Sequence, residues 1–277
     1  MPWPHHLHHW FPKAPLGSPL SKTFLKTLLQ DARPSMQRLF ASLVLMGVML
    51  PFSGVSALAD DFNPPDRGLP GRRRGGGTRN PQVTCVQSTN QVLTALVPAN
   101  NLGLTIAAYP QIFWFVPPHT APLMEISLYA TNADFQDEEL LFLSQFKTSG
   151  NKGISHFKVP NAINFVPLEE GEVYHWYVSL ICDPNDRSQD VTVSGWIERV
   201  PVPPSLAETL DSLKGIDRYT ALVGEGLWFD ALDTWASLHC SQSADPEIMG
   251  SLWKNLVQDD QVKLEEFSQS DWANTCP

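Results

Sequence analysis

"LEEGEVYHWYVSLIC", Leu168 to Cys182, decides the fold of this chain. Its first seven residues have the form L-x-x-G-x-x-Y, the spacing of a tyrosine corner at the entry to a β-strand. Gly171 permits the turn, and the hydroxyl of Tyr174 is placed to bond back to upstream backbone. Beyond the corner the side chains alternate, as a strand requires. Tyr174, Trp176, Val178, Leu180 and Cys182 share one face, which the corner assigns to the core. His175, Tyr177 and Ser179 point the other way.

The same texture extends to both sides. "VLTALVP", "LTIAAYP", "IFWFVPP", "LMEISLYATN", "ELLFLSQF", "GISHFKVP" and "VTVSGWIERV" are short β-rich runs separated by Pro, Gly, Asn and Asp. With the opening stretch they predict a mainly β fold over residues 85–201: an immunoglobulin/fibronectin-III-like antiparallel β-sandwich. In the strand after the opening one, Thr192, Ser194, Trp196 and Glu198 fall on the same outer face as Tyr177. His175, Tyr177 and Trp196 therefore form a candidate surface patch. It is either a stacking platform for sugars or a partner, or the seat of the helices that follow.

After "PVPP", Pro201 to Pro204, the period becomes helical. Ser205 and Glu208 have the spacing of a capping box. Trp228, Ala231, Leu232, Trp235 and Leu238 make one apolar stripe, and Met249, Leu252, Trp253 and Leu256 make another. Asp245 and Pro246 suit the cap and first turn of the second helix. Residues 202–277 are thus expected to be a small helical hairpin segment. Stripes so rich in tryptophan need cover, which favours their docking on the patch over a free platform.

"MQRLFASLVLMGVMLPFSGVSALA", residues 36–59, has the pattern of a signal peptide with an A-x-A end at Ala57 and Ala59. Residues 1–35, with His5, His6, His8 and His9, read as an upstream extension, with translation from Met36 as the alternative start. An uncleaved anchor is the alternative to cleavage before Asp60. The whole chain carries 19 basic and 29 acidic residues, a net charge of −10. A chain starting at Asp60 keeps 14 and 28, hence −14. Of these, residues 60–81 contribute five arginines and three aspartates, which leaves −16 on the body. Such a body repels nucleic acid and anionic lipid. Residues 60–84 hold "PPDRGLPGRRRGGGTR", with five arginines and five glycines. No lysine follows the glycines and no strand or helix flanks them, so this is not a phosphate-binding loop. It reads as a flexible linker, with docking of Arg67 or Arg79 on the acidic body as the second reading.

Four cysteines in an exported chain favour disulfides. Cys85 precedes the first strand at the pole where the Cys182 strand ends, so Cys85–Cys182 is expected, with Cys240–Cys276 closing the helical segment. No C-x-x-C, G-x-S-x-G or H-x-x-x-H is present in 85–277, and His119, His156, His175 and His239 stand singly. Asp134, Asp137, Glu138 and Glu139 read as a solvated acidic turn. In "CDPNDRSQD", Asp183, Asn185, Asp186 and Asp190 suit a hydrogen-bonded turn better than a calcium loop. No catalytic residue, metal site or cofactor is assigned.

"PDRGLPGRRRGGGTR", the stretch from Leu168 to Val200 and "GLWFDALDTWASL" together resemble the domain of unknown function 928, a family found mainly in cyanobacteria, over about residues 64–260. The resemblance implies an exported cyanobacterial protein and supplies no catalytic residues. The expectation is an exported periplasmic or extracellular protein without enzymatic activity, binding an envelope protein or surface component. It has no nucleic-acid partner and no stable membrane span after signal cleavage. The competing class is a carbohydrate-active or other hydrolytic enzyme on a β-sandwich.

Overall fold

The computed structural model describes residues 61–75, 85–88, 90–161, 166–272 and 276. The signal segment with Ala57 and Ala59, the upstream extension and Arg79 lie outside the described residues.

The tyrosine corner forms as its spacing predicts. The Tyr174 hydroxyl accepts the amide of Glu169 at 2.8 Å, and Leu168 is buried beneath the turn. Gly171 sits at φ +87°, a backbone that side chains rarely adopt, and donates its amide to Arg199. Eight strands follow the eight runs: β1 (Thr94–Ala95), β2 (Leu102–Thr105), β3 (Gln111–Val116), β4 (Leu123–Thr131), β5 (Asp137–Lys147), β6 (Gly153–Lys158), β7 (Val173–Ile181) and β8 (Val191–Arg199). They build a three-stranded sheet in the order β1-β3-β6 and a five-stranded sheet in the order β2-β8-β7-β4-β5. Trp176, Val178, Leu180, Met124, Ile126, Leu128, Val193 and Ile197 form the inner face of the larger sheet, all buried. The sandwich is not wholly antiparallel. After β1 the chain turns at Pro98–Asn101 and crosses to the other sheet, so β2 enters beside β8 in the same direction.

Both expected disulfides are present, Cys85–Cys182 and Cys240–Cys276. Such bonds form and persist in oxidising surroundings. Among the described residues no helix is long and apolar enough to cross a membrane.

Among the described residues the C-terminal part holds three α-helices rather than a hairpin of two. They are α1 (Gly215–Gly224), α2 (Trp228–Ser241) and α3 (Pro246–Gln258). Asp245 caps α3 through the Glu247 amide, with Pro246 at its first turn. The predicted capping box is not used: residues 204–212 make successive turns, and the Ser205 hydroxyl bonds Glu225 instead.

The helices do not sit on the outer face of β7 and β8, which corrects the expected docking. They cover the three-stranded sheet and the β2 edge. The chain that follows α3 shares this cover: Phe115 meets Phe267 with ring centres 4.7 Å apart, and Phe113 meets Trp272 at 5.9 Å. The Trp228 indole donates to the carbonyl of Leu96, and the Asp230 carboxylate accepts the Ile106 amide. A side chain at Gly103 would collide with Phe229, so the close approach of α2 to β2 needs glycine there. The physical reason for the docking lies in β3: all six of its residues are buried, because "QIFWFV" is apolar on both faces and needs cover on both. One continuous apolar core runs through the sandwich and the helices.

Candidate functional site: outer face and free edge of the five-stranded sheet

The outer face of the larger sheet divides into a strapped half and an open half. Residues 61–75, read from sequence as a flexible linker, are instead an ordered strap. The arginine–glycine composition hides two apolar anchors, Phe62 and Leu69, which make ordering favourable. Phe62 is buried edge-on against Trp228 at 5.2 Å. Leu69 packs on Leu102, Val173 and Trp196, a small apolar cluster separate from the main core. Arg72 lies beside β8, exchanging hydrogen bonds with Ser194, while Arg73 and Gly75 bond to Ala95 and Leu93 at β1. The triple arginine thus runs along a seam between the two sheets. The guanidinium of Arg73 donates to Val262, and burial lowers its pKa to about 10. Arg74 pairs with Glu266. Arg67, one of the two arginines expected to pair with the body, meets Glu198 at 2.7 Å and lies over the Phe135 ring.

The patch of His175, Tyr177 and Trp196 is assembled on one face as the alternation predicts, but it is not an exposed platform. Trp196 is only 2 % exposed: the strap covers it, and its indole donates to the Pro70 carbonyl at 2.5 Å. His175 stacks flat on Trp196, with ring centres 3.8 Å apart and planes 5° from parallel. Asp137, assigned from sequence to a solvated turn, opens β5 and joins the patch. It bonds His175 Nδ1 at 2.9 Å and the Tyr177 hydroxyl at 2.5 Å. Burial holds the His175 imidazole below the ordinary histidine range, against the opposing pull of Asp137. The Tyr177 phenol is pushed up by burial and by the neighbouring carboxylate. The histidine is therefore neutral at pH 7 and donates from Nδ1, which leaves Nε2 as an acceptor. Nε2 is buried without a hydrogen-bond partner among the described residues. The Asp137–His175 pair thus ties β5 to β7 and holds the imidazole flat on Trp196 of β8.

Beyond the strap the face is open. Tyr129 meets Tyr177 edge-on at 5.7 Å. Arg187 bridges Glu125 and Asp190 at 2.8 and 2.5 Å, and Gln145 also bonds Glu125. In the loop between β7 and β8, Asp183 accepts from Asn185 and Asp186 accepts from Ser188, so these carboxylates serve as turn caps. Among the described residues no group of three or more His, Cys, Asp or Glu side chains is arranged to hold a metal.

The edge strand β5 is the feature the sequence reading missed. Leu140 and Leu143 oppose Tyr129 and Ser127 on the outer face, and Phe146 opposes Met124 on the other. They are 47 %, 51 % and 37 % exposed, half of the six large hydrophobic side chains exposed among the described residues. The signal is legible afterwards: "ELLFLSQF" lacks the polar alternation that a strand with one solvated face shows.

No curated protein matches this chain. The solved fibronectin type III domain of the human collagen alpha-1(XX) chain is similar to it over 51 % of this chain and 91 % of that domain, at 13 % identity and a TM-score of 0.25. The strap from Arg74, both sheets, the helices and the chain as far as Trp272 fall within one family match, over residues 74–272, and the chain belongs to the family described as Domain of Unknown Function (DUF928).

Proposed function

We propose that the mature protein is exported and acts without catalysis, as a module that binds a protein or surface component of the cell envelope. The observation that carries this reading is the group of exposed apolar side chains on β5, which holds three of the six large hydrophobic side chains exposed among the described residues. Exposed apolar residues gathered on one element mark interaction surfaces, whereas scattered ones are ordinary. Two disulfides suit an exported chain. Mass spectrometry of the exported protein is expected to find Asp60 at its N-terminus. Affinity capture with residues 60–277 from envelope extracts tests the binding role. Retention of a defined set of proteins or surface polymers above that of an unrelated disulfide-bonded sandwich is expected. Retention no greater than that control overturns the reading.

A further inference from the structure

We propose that β5 is a docking edge that takes up an extended, basic segment of another protein as an added strand. This rests on the binding-module reading and assigns it a surface and a partner chemistry.

The two edges of the five-stranded sheet are treated differently. The β2 edge is closed by α2, with Phe229 against Gly103 and Asp230 on the Ile106 amide. Among the described residues the β5 edge pairs with β4 alone. Natural edge strands are kept from pairing by shortness, by proline, by charge in mid-strand or by bulges. β5 has 11 residues and no proline, and its lysine comes only at the last position. Its two register shifts fall in the first half, while Phe142–Lys147 runs in unbroken register along Leu128–Leu123. Regular backbone is thus presented along Leu143 and Phe146, while Leu140 lies beside the second shift. Leu143 on one face and Phe146 on the other are both placed to be covered by the side chains of an added strand.

Charge selects the occupant. Asp134, Glu138 and Glu139 stand exposed at the start of the edge without an ion pair among the described residues, while Asp137 is engaged by His175 and Tyr177. The body as a whole carries −16. A segment alternating basic and apolar residues meets both the acidic start and the apolar remainder. A second copy of this chain brings the same negative charge and is disfavoured by it.

The test is amide hydrogen exchange of the full mature protein in the presence of synthetic peptides. One alternates valine and lysine, one alternates valine and glutamate, and one is the valine–lysine peptide with central prolines. The valine–lysine peptide is expected to slow exchange within Asp137–Lys147, more strongly at low ionic strength, and the other two are not. Leu143→Lys, or Glu138→Lys with Glu139→Lys, is expected to weaken the peptide at least about tenfold while the unfolding midpoint stays unchanged. Three results overturn the proposal: no slowing in β5, slowing confined to other strands, or equal slowing by the valine–glutamate peptide. Slowing that grows with protein concentration alone makes a second copy the occupant and overturns it too. Capture from extracts that is undiminished by Leu143→Lys rejects this edge and leaves the binding module standing. Empty capture with β5 protected by the peptide rejects the envelope partner and leaves the edge standing.

Discussion

On the three-stranded sheet, Phe113 and Phe115 lie beneath Trp272 and Phe267, whereas on the five-stranded sheet Leu140 and Leu143 stand in solvent. The same class of side chain on the two outer faces of one sandwich has opposite surroundings. The first face is closed by the helices and the chain that follows them, which share its core, and the second is half closed by a strap and half left open. The difference teaches where stability and interaction are separated: burial on one side supplies the cohesion, so apolar side chains on the other are free to meet something else.

The sharpest way to break this comparison is Phe115→Ala. The ring is 2 % exposed and packs on Phe267. Its loss leaves a cavity that the surrounding core closes only in part, and a cost of about 3–5 kcal/mol is expected in denaturant unfolding. A cost below about 1 kcal/mol would show that the chain around Phe267 rests only loosely on this sheet.

Much of this division is written in the residues, though unevenly. The corner at Leu168, Gly171 and Tyr174 made the strand register legible, and with it the inner face and the placement of His175, Tyr177 and Trp196 together. The cover of each face was harder to read. "QIFWFV" is apolar at successive positions, the mark of a strand buried on both sides, yet a short apolar run alone does not say what covers it. The strap escaped reading because composition is averaged over a segment, and two side chains, Phe62 and Leu69, decided its order. Asp137 escaped because its partners, His175 and Tyr177, are 38 and 40 residues away in sequence.

A smaller effect is expected at the junction of helix and sheet. Burial pushes the Asp230 carboxyl up to about 6, although the bond from the Ile106 amide favours its charged form. A carboxyl whose folded pKa is raised binds its proton more tightly when folded. Stability from this group is therefore present at low pH and lost as pH rises from about 4, the unfolded value, to about 6. The residue keeps partial exposure, so the loss is on the order of 1–2 kcal/mol rather than the full shift. Asp230→Asn is expected to remove that slope, read as the difference between variant and parent unfolding free energies across this pH range. A difference independent of pH would mean that the carboxyl ionises in the folded protein as readily as in water.

The strap offers a comparable test on the other face. Leu69→Ala is expected to cost about 1–2 kcal/mol, since Leu69 is half-buried on Leu102, Val173 and Trp196. The Trp196 indole N–H, held by Pro70, is expected to exchange faster with solvent in the variant. Unchanged exchange would place the anchoring of the strap in its arginines rather than in Leu69.

The smallest expected effect bears most directly on function. Leu143→Ala removes the same kind of apolar bulk as Phe115→Ala and Leu69→Ala, but from a side chain that is 51 % exposed on an edge strand. Folding transfers little of its surface out of water, so the change in unfolding free energy is expected to stay within about 0.5 kcal/mol. Chemical unfolding of the isolated protein at low concentration measures it. A cost well above 1 kcal/mol would mean that Leu143 is already covered in solution, and a cost that rises with protein concentration would identify the cover as another copy of the chain. A near-zero cost, set beside the large cost at Phe115, says that folding does not require an apolar residue here. That outcome would support the docking role proposed for β5, because the side chain would then be open to a partner without being needed by the fold.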